Sequence, residues 1–224
     1  VRALLAALWQ SDSAFPSGSF AFSNGIEGAA ALKAGMNRAD LAEALETTLR
    51  HRWATAERLA LLHAFHAENV RGLALIDAAF EASTLSEPSR TGSRRNGSAL
   101  LISHSRLGTR GAAEYRALIA SGDALGHLPV AQGWLWRRCG LDERSAVAAS
   151  AYTVAAGLVN AAVRLGAIGA IDAQGALAGT FDLIESLANR EFDGSSPLAF
   201  ASMIPWLDIA AVRHVRSGLR LFSN

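Results

Sequence analysis

Residues 146–163 (AVAASAYTVAAGLVNAAV) carry no charged side chain, and a run of that length approaches what a membrane-spanning helix needs. Its composition points elsewhere. Alanine contributes little transfer energy, Asn160 interrupts the run and Arg164 closes it, so a spanning segment is not the reading adopted. The expectation is a helix buried all round at the centre of a helical domain, where small side chains let neighbours pack closely.

The rest of the chain repeats the helical period. Leu4, Leu5, Leu8 and Trp9 form one short stripe, and from Leu41 the apolar positions Leu45, Leu49, Trp53, Leu59, Leu62 and Phe65 recur at helical spacing, continuing through Leu73, Ile76 and Phe80. Residues 11–18 (SDSAFPSG) read as a loop. Ser19 is placed to cap a helix running to about Ala34, with Gly35 where a left-handed C-terminal cap falls. Asn37 with Asp40 forms a capping-box pattern for the next helix. Residues 83–98 (STLSEPSRTGSRRNGS) are the most polar stretch and read as an exposed loop, with helix resuming around Leu100. Pro129 suits a first helical position, Asp142 caps the alanine-rich helix that ends near Gly166, and a further helix spans roughly 172–190. No alternating strand pattern persists beyond a few residues. The chain is therefore expected to be all-α, a single domain over residues 1–224 of about eight to ten helices.

Composition narrows the function. About a fifth of the residues are alanine, the best intrinsic helix former. Half the residues are hydrophobic, which excludes intrinsic disorder. With 21 basic and 20 acidic residues there is no positive surplus to displace counterions from nucleic acid. The one cysteine, Cys139, excludes an intrachain disulfide framework and a cysteine-based zinc site. The chain opens at Val1 without a methionine, and residues 1–10 are too short and too weakly basic for a signal peptide. A cytoplasmic location is expected.

Catalytic signatures are missing. There is no GxxxxGK[ST] loop, no GxSxG elbow and no HExxH. Glu27, Glu43, Glu46, Asp182 and Glu185 fall at spacings that mark solvated helix faces. His63 and His66 are the nearest approach to a metal pair, with Glu68 nearby, and two histidines need help from elsewhere to hold a metal tightly. A helical small-ligand or metal-binding domain built on that pair stands as the alternative reading. His51, His104, His127 and Cys139 are scattered and read as structural or solvated.

Residues 11–28 (SDSAFPSGSFAFSNGIEG) are the most distinctive segment. Pro16 fixes the backbone, Gly18 permits a tight turn, and Gly25 allows another backbone to approach. Phe20 and Phe22 cannot share one helical face, so one is left for a second layer or a partner. A loop-to-helix elbow packed on its own core accounts for most of these features.

The segment also resembles the N-terminal signature of the UreF-type urease accessory proteins, standing here as Phe15-Pro16-Ser17-Gly18-Ser19-Phe20-Ala21-Phe22-Ser23-Asn24-Gly25-Ile26-Glu27. Three further stretches are similar to family motifs, in order along the chain: His127–Gly133 (HLPVAQG), Ala161–Gly166 (AAVRLG), and the terminal Leu207-Asp208-Ile209-Ala210 with Arg213-His214 and Arg220-Leu221-Phe222-Ser223. The sequence departs from the family pattern at Val215, where a glutamate is usual, and in a tail reading RLFSN. Residues 83–98 match loosely, through Arg94, Arg95 and Gly97.

The resemblance implies an all-α, non-enzymatic protein, usually a homodimer, bridging a UreD/UreH-type accessory protein and the UreG-type GTPase and regulating the GTPase step while nickel is inserted into apo-urease. Such a chain binds no cofactor of its own, nickel and GTP being handled by the assembled complex. The motif and partner-binding positions it implies are Pro16, Gly18, Ser19, Phe20, Ser23, Gly25, Glu27, His214, Arg220, Leu221 and Phe222. Residues 213–224, with Arg213, Arg216 and Arg220 flanking Leu219, Leu221 and Phe222, have the form of a tail that folds on binding, its apolar anchors filling a groove while its arginines pair with carboxylates.

Overall fold

A computed structural model of the chain describes residues 1–18, 22–33, 35–195, 197–215 and 222, with His214 and Val215 described by backbone alone. Among these residues there is no strand, and the chain forms one all-α body. At its centre lies α9 (Glu143–Arg164), started by the Asp142 carboxylate, which accepts from the Ser145 amide at 2.7 Å. It packs against α1 (Arg2–Ser11), α2 (Ile26–Leu32), α3 (Arg38–Thr48), α4 (Arg58–His66), α8 (Leu128–Arg138), α10 (Ala170–Ala178) and α11 (Phe181–Ala188). Its burial is one-sided. Ala146, Val147, Ala151, Ala155, Leu158 and Ala162 are buried, whereas Ala148, Tyr152, Ala156 and Asn160 recur every four residues along an open stripe. The expectation of burial all round is thus corrected, because the stripe forms the wall of a cleft. This is the one helix of membrane-spanning length and hydropathy among the described residues, and 56% of its most apolar window is buried inside the protein.

Helix α3 opens with the full capping box, Asn37 accepting from Ala39 and Asp40 while Asp40 accepts from the Asn37 amide. It then widens into a π-helical segment, Leu49–Glu57, before returning to α-geometry in α4. A π turn displaces backbone carbonyls from the normal ladder. Here His51 and Thr55 carbonyls accept from the amides of Met203 and Ala201, at 2.9 and 3.0 Å, and the Thr55 hydroxyl donates to the Ala201 carbonyl. An extended strap, residues 199–204, is tied down in this way and delivers the chain into α12 (Pro205–Val215).

Residues 83–98 overturn the expected loop. After α5 (Val70–Ser83), only 84–86 are non-helical before α6 (Glu87–Arg106) begins. The stretch is polar because its side chains are paired. Arg90 meets Glu87 at 2.7 Å, and Arg94 meets Glu81 at 3.0 Å and Glu87 at 3.4 Å. Its glycines are packing positions, since a methyl group on Gly97 would run into the Gly126 carbonyl ahead of α8, and one on Gly92 would press on Phe22. The helix expected over 172–190 is also divided, into α10 and α11, at Gly179–Thr180.

Two buried polar groups fix the remaining elements. Asp77 on α5 is fully buried and accepts from Tyr115 Oη (2.6 Å) on α7 (Ala112–Ser121) and from the amides of Leu125, Gly126 and His127. It thereby sets the turn that starts α8. His104 on α6 is fully buried between Thr109 Oγ1 (2.9 Å) and Gln10 Oε1 (3.1 Å), the latter also accepting from Trp136 Nε1. Burial pushes the His104 imidazole down to about 4.

Gly97→Ala should therefore destabilise the protein by at least about 2 kcal/mol in urea unfolding. Gly72→Ala, on α5 where nothing lies within 4 Å, should stabilise by about 0.5–1 kcal/mol. Equal effects at the two glycines would contradict the packing described. His104 gives a pH dependence. Unfolded histidine takes up a proton near 6.5, and the folded ring does so only near 4. Its contribution is fully present above pH 6.5 and is lost as pH falls from 6.5 to 4, at most about 3 kcal/mol. His104→Gln should flatten the urea-midpoint profile across that window; an unchanged slope would refute this role.

Candidate partner-binding site at the chain ends

The two stretches at opposite ends of the sequence meet in space. The N-terminal elbow runs over α6: the Ser103 hydroxyl donates to the Pro16 carbonyl at 2.8 Å, and Phe15 and Phe22 are buried. Gly18 has φ +77°, and a side chain there would stand 3.0 Å from Ala99 Cβ. The elbow ends at Asn24 (φ 52°) and Gly25 (φ +90°), where α2 starts. Gly25 faces α12, since a Cβ on it would lie 2.9 Å from the Leu207 carbonyl oxygen. No residue with a side chain fits both that backbone angle and that spacing. Sequence-distant motifs thus share one contact, α2 against α12.

Of the remaining signature residues, Ser23 and Glu27 are both buried, so Glu27 does not stand on the solvated face expected of it. Ser19 and Phe20 lie outside the described residues, as do Arg220 and Leu221, and nothing is described of the His214 side chain. Phe222 is buried, with the Arg164 guanidinium 4.3 Å above its ring. The terminal motif and the AAVRLG stretch therefore meet as well.

Between these parts runs a cleft of about 760 Å³. Leu4 and Leu8 of α1, the open stripe of α9, Asn24 and Gly25, Leu207, Asp208 and Ala211 of α12, and Phe222 contribute to its walls. Arg52 and Glu57 of the π segment, 2.9 Å apart, also line it. Burial raises the Asp208 carboxyl, opposed by nearby Arg52 and by a hydrogen bond with Ser89. Helices α1 and α12, which help line the cleft, also carry exposed apolar side chains. Leu4, Leu5 and Leu8 are each about 60% exposed, and α12 turns Trp206, Ile209 and Val212 outward. The Leu4–Trp9 stripe is consequently not a core stripe, and its exposure alongside an apolar cleft is the pattern of an interaction surface.

The other sequence candidates resolve differently. His66 Nε2 lies 2.6 Å from Glu143 Oε2, and its ring stacks on Phe192. His63 packs edge-on against Phe192 and Phe200, and burial, with His66 nearby, lowers its pKa. The pair flanks a cavity of about 240 Å³ with Glu68 and Asn69. Among the described residues no three His, Cys, Asp or Glu side chains group as metal ligands. Cys139 Sγ lies 3.6 Å from His104 Nδ1, and burial pushes its thiol up, keeping it protonated. His127 is structural, fully buried between Ser93 and Glu81. Asp77 escaped the sequence reading, because an aspartate amid helical apolar positions looks like any solvated one; its partners are 38 to 50 positions away.

Known proteins match the chain over nearly its whole length. A family model described as UreF matches residues 36–180. The chain is 32% identical over 225 residues to urease accessory protein UreF 1 of Brucella melitensis, covering 99% of this chain and 92% of that one. It is 28% identical over 224 residues to urease accessory protein UreF of Trichodesmium erythraeum, covering 98% and 96%. An Arthrobacter urease accessory protein UreF is 28% identical over 216 residues, at 95% and 93% coverage. With the helical fold and the joined terminal motifs, these matches establish that the chain belongs to the UreF family of urease accessory proteins, a family of non-catalytic chaperones.

Proposed function

We propose that this protein scaffolds the urease maturation complex, joining a UreD/UreH-type accessory protein to the UreG-type GTPase and regulating the GTPase step, in the cytoplasm and as a homodimer. Nickel is the cargo of that assembly and not a resident of this chain; apo-urease is reached through the complex. The observation that carries the reading is the apolar cleft and rim built from the two chain ends. Exposed Leu4, Leu5 and Leu8 of α1 and exposed Trp206, Ile209 and Val212 of α12 offer a partner aliphatic and aromatic anchors. The tail sequence carries Arg213, Arg216 and Arg220, and carboxylates of a partner would pair with these cations.

The UreD/UreH-type protein is assigned to this surface. Size-exclusion chromatography with light scattering should show a dimer alone that shifts to a larger stoichiometric complex when that protein is added. Deleting Leu219–Asn224 should abolish the shift and leave the far-ultraviolet circular dichroism unchanged. Loss of Phe222 burial should lower stability by about 1–3 kcal/mol. A truncated chain that still binds, or one that loses its helices, would contradict docking through the tail.

A further inference from the structure

A second surface lies at the C-terminal ends of α6 and α8. Helices α6 and α8 run in the same direction. Gly97 touches the turn before α8, and His104 near the end of α6 touches Cys139 just beyond α8. Their C-termini therefore lie together, and around them stand Arg106, Arg110, Arg116, Arg137 and Arg138. Arg2 reaches the same corner, since a Cβ on Gly140 would be 3.9 Å from its Nε.

None of these six arginines has a carboxylate within ion-pair distance among the described residues. Two of them are held rigidly. Arg138 stacks on Trp134, its Cζ 3.1 Å from the ring centroid, and donates to the Trp134 carbonyl; Arg137 donates to the Phe65 carbonyl at 2.9 Å. Burial, then Arg137 and Arg110, depress the Arg138 guanidinium, with Glu114 opposing. Two helix C-termini supply only about half a negative charge each, too little to offset the cluster. Leu107, 56% exposed, sits in sequence between Arg106 and Arg110. In a chain of net charge +1, gathering six cations at one corner leaves the remaining surface net negative.

We propose that this corner docks an acidic protein surface, and that its occupant is the GTPase of the assembly. The assignment of the GTPase rests on the scaffold reading above. The α12 side of the chain-end surface lies at the opposite end of α6, where Asp208 bonds Ser89, whereas α1 runs from Arg2 at this corner to Gln10 beside His104. From Ser89 to Arg106 the α-helical rise gives about 25 Å, so a partner seated on α12 leaves the arginine corner open. Solvent-exposed guanidiniums at an interface act chiefly on association rate and orientation, and their effect falls with salt. Such a contact suits a partner that comes and goes.

The test uses Arg106→Glu with Arg110→Glu, both exposed and outside every bond described, in the full-length chain. A fluorescein-labelled decaglutamate peptide serves as a partner-free probe by anisotropy, and light scattering follows the UreD/UreH-type protein and the GTPase. The wild type should bind the peptide, with at least tenfold loss between about 50 and 300 mM NaCl. The double variant should bind it at least tenfold more weakly, keep the UreD/UreH-type protein and fail to recruit the GTPase. A double variant that binds peptide and GTPase like the wild type would overturn the proposal. A wild type whose peptide binding depends on these arginines, but which ignores both accessory proteins, would uphold the acidic docking face and bring down the scaffold reading.

Discussion

The fold depends on a central helix that offers its neighbours little beyond methyl groups. Helix α9 buries Ala146, Ala149, Ala151, Ala155, Ala161 and Ala162, and an alanine surface gains dispersion energy only when neighbours come close on several sides. Glycine supplies the same closeness elsewhere, with Gly133 of α8 against the Leu61 carbonyl and Gly97 of α6 against Gly126. Trp53, whose indole N–H reaches Ser150 Oγ at 3.2 Å, fills volume that small side chains leave. Packing of this kind tolerates little change in size, which keeps the surrounding helices in fixed positions. The stripe of α9 that no helix covers becomes the floor of the cleft.

That geometry explains how the chain ends come to form one surface. The π-helical turn sends two carbonyls outward to hold the strap 199–204, the strap sets α12, and α12 closes on Gly25. The N-terminal elbow is fixed independently through Ser103 and the Pro16 carbonyl. Each half is anchored to the core before it meets the other, so the cleft is preorganised and a partner needs to order little of it on binding.

Much of this was legible in the sequence, for identifiable reasons. The caps at Asn37 and Asp142, the break at Gly166 and the all-α class follow from local chemistry, and local chemistry is what a sequence displays. The stretch 83–98 looks like a loop in sequence because its polarity is satisfied by Glu81 and Glu87 through ion pairs, and a paired polar helix has the composition of a loop. Asp77 was invisible, since the amides it serves come from residues 125–127. The exposure of Leu4, Leu5 and Leu8 was likewise unreadable, because an apolar stripe has the same spacing whether it faces a core or a partner. At the site, Gly25 and the terminal motif were legible as special positions; their mutual contact required the fold.

The account stands on the chain ends acting as one docking surface, and hydrogen–deuterium exchange tests that most directly. The chain is compared alone and with the UreD/UreH-type protein. Slowed exchange should appear together in residues 4–8 of α1, residues 22–27 and α12, with the C-terminal ends of α6 and α8 unaffected. Slowed exchange confined to other helices, with α12 and the N-terminal elbow unchanged in a complex that nonetheless forms, would contradict it.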